Sequence, residues 1–210
     1  MSALPAWLLE ASLPGLGRPL SEAEAGQADN YLNILAKWQK AQRLVGSAER
    51  SWLVENVLLD SLCFLEPLPG NARVIADLGS GAGIPGIPIA IARPDLRVSL
   101  IEARERRVSF LSTVVRELGL SHVSVIAGRA DGLDPDHRGR FDAVVMRCAG
   151  RIDDVLGVGL GLVRTGGAVI VSAGPDATVP PHAEEFVIRT PSGTLRRLHR
   201  YRKGGDDFGH

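Results

Sequence analysis

Cysteine is nearly absent from the chain: Cys63 and Cys148 are the only two in 210 residues. Their number and spacing match neither a disulfide framework nor a zinc site, and no metal centre is expected. Aromatic residues make up 5% of the sequence, and the formal net charge is zero at pH 7. No whole-molecule field therefore draws a polyanion, and attraction to nucleic acid has to come from local patches. Apolar runs do not exceed strand length, which excludes a membrane span. The opening MSALPAWLLEASLPG has no basic stretch ahead of its apolar residues, and Glu10 interrupts them, so it is not read as a signal peptide. What is present, 45% hydrophobic and 23% charged residues, is the composition of a globular chain with one well-buried core. The expected compartment is the cytoplasm.

Helical spacing comes first along the chain. From Ser21 to about Val45, the residues Tyr31, Leu32, Ile34, Leu35 and Trp38 recur on one helix face, and Ser21 with Glu24 forms a capping-box pattern. SWLVENVLLDSLCFL follows as a second amphipathic segment, with Leu53, Val57, Leu58, Leu62 and Leu65 as its buried stripe. EPLPGN then breaks the pattern. Beyond it the short β-branched runs RVIADLG, RVSLIEA, SVIAGRA, DAVVMRC and GAVIVSAG alternate with helical stretches at 85–92, 104–118 and 152–163. Such alternation predicts βαβ units and a parallel, doubly wound sheet. EFVIRTP and LRRLHRYRK have no helix between them and predict a terminal antiparallel hairpin. The division expected is a helical extension over 1–66, an α/β core over 67–203 and a loose tail over 204–210. Basic residues gather at 104–107, at 138–151 and at 196–203, which solvated faces and strand edges would also explain.

The stretch ADLGSGAGIPGIP joins the first parallel strand to its helix, at the carboxyl edge where open α/β sheets bind ligands. It fits two spacings. Gly81, Gly83 and Gly86 match the GxGxxG of dinucleotide sites, whereas Asp77, Gly79, Gly81 and Gly83 match the DxGxGxG of S-adenosylmethionine sites. Glycine there permits positive φ and removes the Cβ that would hold a ligand away. A pyrophosphate would sit at the helix N-terminus, and Asp77 would repel it. The sulfonium and ammonium of S-adenosylmethionine are cationic and suit that carboxylate. Glu102 closes the second strand, where it can accept ribose hydroxyls in either reading. Ala130 and Asp131 close the third, beside an adenine. Five parallel strands with a terminal hairpin are the layout of class I S-adenosylmethionine-dependent methyltransferases, a Rossmann-like fold, here with an N-terminal helical extension.

The acceptor half carries no familiar machinery. MRCAGR stands where exocyclic-amine methyltransferases have Asn/Asp-Pro-Pro-Tyr/Phe. Cys148 stands where some RNA methyltransferases have Pro-Cys, but the proline and a second cysteine near strand five are missing. Guanine N7 has a lone pair and no proton to lose, so its methylation needs neither base nor nucleophile, and no acid or base is assigned.

DLGSGAGIPGIPIAI resembles the loop of the small-subunit ribosomal RNA methyltransferase G family, also called glucose-inhibited division protein B. The likeness extends through YLNILAKW, LLDSL, RRVSFLSTVVRELGL, GRAD, the Arg of VMRC and LHRYRK. It implies methyl transfer from S-adenosylmethionine to N7 of one guanine in 16S ribosomal RNA, free or in a small-subunit assembly intermediate. It also implies donor contacts at Gly79, Ile84, Ala130, Asp131 and Arg147. The departures fall on the acceptor side. Ala149 replaces an aromatic, Ala173 replaces a lysine, and RLV (43–45) replaces Asn-Leu-Thr. Arg151, Arg200 and Arg202 are the residues expected to make up the lost affinity for RNA. Arg147 is expected to hold the methionine carboxylate or to position the base. The chain is expected to act as a monomer. Alternatives are a divergent methyltransferase acting on another RNA or a small molecule, or a non-catalytic donor-binding protein of the ribosome.

Overall fold

Ser21 and Glu24 cap each other as their spacing predicts. The Ser21 hydroxyl accepts from the Glu24 N–H at 3.3 Å, and the Glu24 carboxylate accepts from the Ser21 N–H at 2.8 Å. Helix α1 (Glu22–Gln42) starts there and ends at Arg43, whose φ of 48° closes it in the left-handed region. The structure, a computed structural model, describes residues 4–129, 132, 135–147, 152–172, 179 and 181–204.

The second predicted helix forms with a changing pitch. α2 (Arg50–Leu53), a π-helical stretch (Val54–Leu59), α3 (Asp60–Leu62) and a 3₁₀ turn (Cys63–Leu65) follow without a break. Its predicted stripe is buried, but every residue from Val57 to Leu65 is buried too. From Val57 onward the segment is therefore a core helix and not an amphipathic one. Residues of the amino-terminal segment, α1 and the sheet enclose it in one apolar cluster, which contains Leu8, Tyr31, Phe64, Ile75, Leu100 and Val145 together. In that setting the Cys63 thiol is pushed up to about 12 by burial.

The β-branched runs become strands. β1 (Val74–Leu78), β2 (Arg97–Glu102), β3 (Val123–Ala127), β4 (Phe141–Arg147) and β5 (Val163–Ser172) pair in parallel, and β6 (Glu184–Arg189) and β7 (Leu195–Arg202) form the antiparallel hairpin. The order is β3-β2-β1-β4-β5-β7-β6. Helices α4 (Gly86–Ala92) and α5 (Glu105–Glu117) join the first three strands, and α6 (Ile152–Leu162) leads directly into β5. The expected doubly wound sheet is thus present. Its chain order reverses between β1 and β4, the switch point at which such sheets hold ligands.

Strand periodicity then sorts the side chains. Ile75, Leu100, Val145 and Ile170 face the large cluster beneath α1–α4, whereas Ala76, Ile101, Val144 and Val169 face a second cluster with α6. By the same alternation Asp77, Glu102 and Arg147 share the first face, at the carboxyl ends of three neighbouring strands. Among the described residues no helix is long and apolar enough to cross a membrane.

Candidate active site

The glycine loop turns its backbone donors inward. Gly79 and Ser80 N–H both donate to the Ile101 carbonyl at 2.9 and 3.1 Å, and Gly83 and Ile84 N–H both donate to the Ser80 carbonyl at 2.7 and 3.1 Å. Gly81 N–H donates to Glu102 Oε2 at 2.8 Å, and Gly86 N–H to Asp77 Oδ2 at 3.0 Å. The start of α4 therefore already holds the Asp77 carboxyl group. A pyrophosphate would find those donors consumed and an acidic group beneath them, so the geometry disfavours the dinucleotide reading.

The three positive-φ glycines have different tasks. Gly79 (φ 73°) has no atom within 4 Å of where a Cβ would stand, and Gly81 (φ 58°) has only the Arg107 guanidinium and the Gly79 carbonyl nearby. Both border open space. At Gly83 (φ 84°) a Cβ would press on Ile87 and lie 3.2 Å from Leu111 Cδ2. At Gly86 it would lie 2.7 Å from Asp77 Oδ2. The first pair shapes the cleft, and the second lets α4 pack on the sheet.

The cleft holds about 1060 Å³, and Gly79, Gly81, Ile84 and Arg147 are in its wall. Asp77 and Glu102 stand behind that wall. Asp77 is fully buried, and its Oδ1 has no hydrogen-bond partner. Burial pushes its carboxyl up to about 7, against the opposing bond from Gly86. Glu102 ties two backbones, accepting from Gly81 at one oxygen and from Arg104 N–H at 2.9 Å on the other. Arg107 lies 3.8 Å from it. The second carboxylate thus organises the loop in addition to any ligand it accepts. Ala130, Asp131 and Arg151, like Cys148, Ala149 and Ala173, lie outside the described residues.

Arg147 has partners that strand-end position alone did not reveal. Its Nε lies 3.3 Å from Asp60 Oδ2, and its Nη1 donates to the Asn56 carbonyl at 3.3 Å. Asp60 Oδ1 lies 2.9 Å from Arg196 Nε, and Arg196 also bonds Glu55 and Asn56. Asp60 is 8% exposed, and burial raises its carboxyl above the ordinary range although both arginines pull it down. The signal in the sequence was a single acid inside the apolar run VLLDSLCFL. Tyr31, expected only as core, donates its hydroxyl to the Ala82 carbonyl at 2.8 Å and so pins the glycine loop from α1. Burial raises the Tyr31 phenol above its usual range, which keeps it a donor.

The basic strand β7 is largely charge-matched. Arg200 and Arg202 both pair with Glu184, and Arg200 also donates to the Pro67 carbonyl at 2.9 Å and stacks 4.8 Å from the Phe186 ring centroid. Arg200 therefore fastens the hairpin to the core, and the more exposed Arg202 is the better placed of the two for a phosphate. Among the described residues no group of His, Cys, Asp and Glu could hold a metal.

Comparison with known proteins places the chain further. A family model described as rRNA small subunit methyltransferase G matches residues 24–192. A protein of Sorangium cellulosum named ribosomal RNA small subunit methyltransferase G is 40% identical over 210 residues, covering 93% of this chain and 86% of its own. The Stenotrophomonas maltophilia protein of the same name is 35% identical, covering 88% and 82%. Among solved structures, an O-methyltransferase of Streptomyces achromogenes, crystallised with S-adenosylmethionine, superposes with a TM-score of 0.53 at 21% identity, covering 88% of this chain and 91% of that one. At that identity the likeness concerns the fold.

Proposed function

Because the chain belongs to the ribosomal RNA small subunit methyltransferase G family, we propose that it transfers a methyl group from S-adenosylmethionine to N7 of a guanine in 16S ribosomal RNA. The observation that carries the reading is the glycine loop. Its N–H groups at Gly79, Ser80, Gly81, Gly83, Ile84 and Gly86 are already bonded within the fold, its face at Gly79 and Gly81 is open, and a buried carboxyl group lies beneath it with one unpartnered oxygen. That arrangement fits a cationic, phosphate-free ligand. When bound, S-adenosylmethionine supplies an electrophilic methyl group on its sulfonium.

The chain's own residues then hold and align. Gly79, Gly81 and Ile84 border the donor, Asp77 supplies a negative field from below, and Glu102 accepts from the ribose with the lone pairs its backbone partners leave. Ala130 and Asp131 are assigned to the adenine. Arg147, steadied by Asp60 and Asn56, serves the reacting end, and Arg151 and Arg202 contact RNA phosphates, with Arg200 behind them. Guanine N7 carries its own lone pair, so the protein contributes proximity and orientation and moves no proton. We assign the protein to the cytoplasm as a monomer acting on 16S RNA in the assembling small subunit.

The test is a modification map of 16S RNA by mass spectrometry in cells with and without the gene. One 7-methylguanosine should disappear on deletion and return with the wild-type gene. An unchanged map overturns the assignment.

A further inference from the structure

Ten aromatic residues serve the whole chain, and most are spent on packing. Tyr31, Phe64, Phe110 and Phe141 are fully buried, and Phe186 lies under the Arg200 guanidinium. Trp52 is different. It is only partly buried, and it stands in the wall of the same cleft as Gly79, Gly81 and Arg147. Among the described residues it is the one Phe, Tyr or Trp in that wall.

It shares the wall with Leu44 and Val45, part of the stretch that departs from the family pattern on the side expected to face the acceptor. Trp52, Asn56 and Asp60 follow at four-residue intervals along the α2–α3 segment, close to one turn each. The Asn56 side chain donates to the Trp52 carbonyl at 3.1 Å. Asn56 and Asp60 both hold Arg147. Trp52 and Asp60 of this stripe stand in the wall of the cleft, with the Asn56 amide between them along the helix. The indole is also set from the other side. A Cβ at Gly46 would lie 3.1 Å from Trp52 Cζ2, so the backbone after α1 rests against the ring edge.

We propose that Trp52 is a specificity-determining residue, an aromatic platform on which the acceptor purine stacks while Arg147 reaches its edge. This rests on the reading of the site as one that methylates an RNA base. An unpaired base has two π faces to cover, and aromatic side chains are the usual cover in RNA recognition. Transfer to a ring-edge atom requires the ring plane to be held, and a packed indole does this at little entropic cost.

The experiment compares wild type, Trp52→Phe and Trp52→Ala in methyl transfer to small ribosomal subunits, with donor affinity measured by calorimetry. Trp52→Ala should raise KM for the RNA roughly 10- to 100-fold, the range of one lost base stack. Trp52→Phe should stay close to wild type, and donor affinity should be unchanged in both. A Trp52→Ala enzyme with wild-type KM overturns the proposal, as does a loss that appears in donor affinity instead. A second readout covers a poorly folding alanine variant: guanosine 5′-monophosphate should quench tryptophan fluorescence in wild type and not in Trp52→Phe. Equal quenching in the two overturns the platform. If wild type methylates no small-subunit RNA, the underlying reading fails on its own, and the quench then decides the platform separately.

Discussion

Asp77 shows how one buried carboxyl links stability, pH and ligand charge. Its folded value, about 7, lies above the roughly 3.9 of an exposed aspartate. The folded state therefore holds this proton more tightly than the unfolded one. The contribution is fully present below about pH 4 and is lost as pH rises through about 7. Without donor, wild type should lose melting temperature relative to Asp77→Asn across that window and run parallel to it above. Asparagine keeps an oxygen for Gly86 N–H and removes the titration, so the difference isolates this group. Thermal melts from pH 4 to 8.5 measure it, and two parallel curves would refute it. A cation over the loop favours the ionised form, so donor affinity should tighten from pH 6 to 8 in wild type and stay flat in the variant.

At the scale of elements, the site is held by contacts between pieces that are remote in sequence. Helix α1 reaches the glycine loop through the Tyr31 hydroxyl, the α2–α3 segment reaches β4 and β7 through Asp60, and β2 reaches the loop through Glu102. Tyr31→Phe leaves the Ala82 carbonyl buried without its donor. The variant should be less stable by about 1–3 kcal/mol in denaturant unfolding, with weaker donor binding because the loop loses its anchor. Unfolding and calorimetry curves that match wild type would show that the loop keeps its shape without α1. Much at this scale was legible beforehand. The Ser21–Glu24 cap, the strand runs and the loop between β1 and α4 each depend on neighbours within a few residues. The core character of residues 57–65 was not legible, because periodicity reports the faces of a helix and not how many of them are covered.

For the whole molecule, the amino-terminal helices and the sheet share one apolar cluster. The expected division near residue 66 therefore marks a change of layer, and we propose that the two layers fold as a unit. All three tryptophans, Trp7, Trp38 and Trp52, lie before that boundary, so their fluorescence reports the helical layer, while far-ultraviolet circular dichroism reports both. The two probes should give coincident melting curves. A fluorescence transition that precedes the dichroism transition would show that the layers separate.

Local chemistry was enough for the element order, the parallel sheet, the placement of Asp77, Glu102 and Arg147 at strand ends, and a positive-φ glycine loop between β1 and α4. Capping, alternation and positive-φ glycines are properties of a few adjacent residues, and they read directly from composition and spacing. Packing alone decided the rest. It turned the loop's N–H groups inward, set Asp60 between Arg147 and Arg196, matched Glu184 to two arginines, and brought Trp52 into the wall of the cleft. Those arrangements join positions from distant parts of the chain, and which of them meet depends on how the layers stack around a common core.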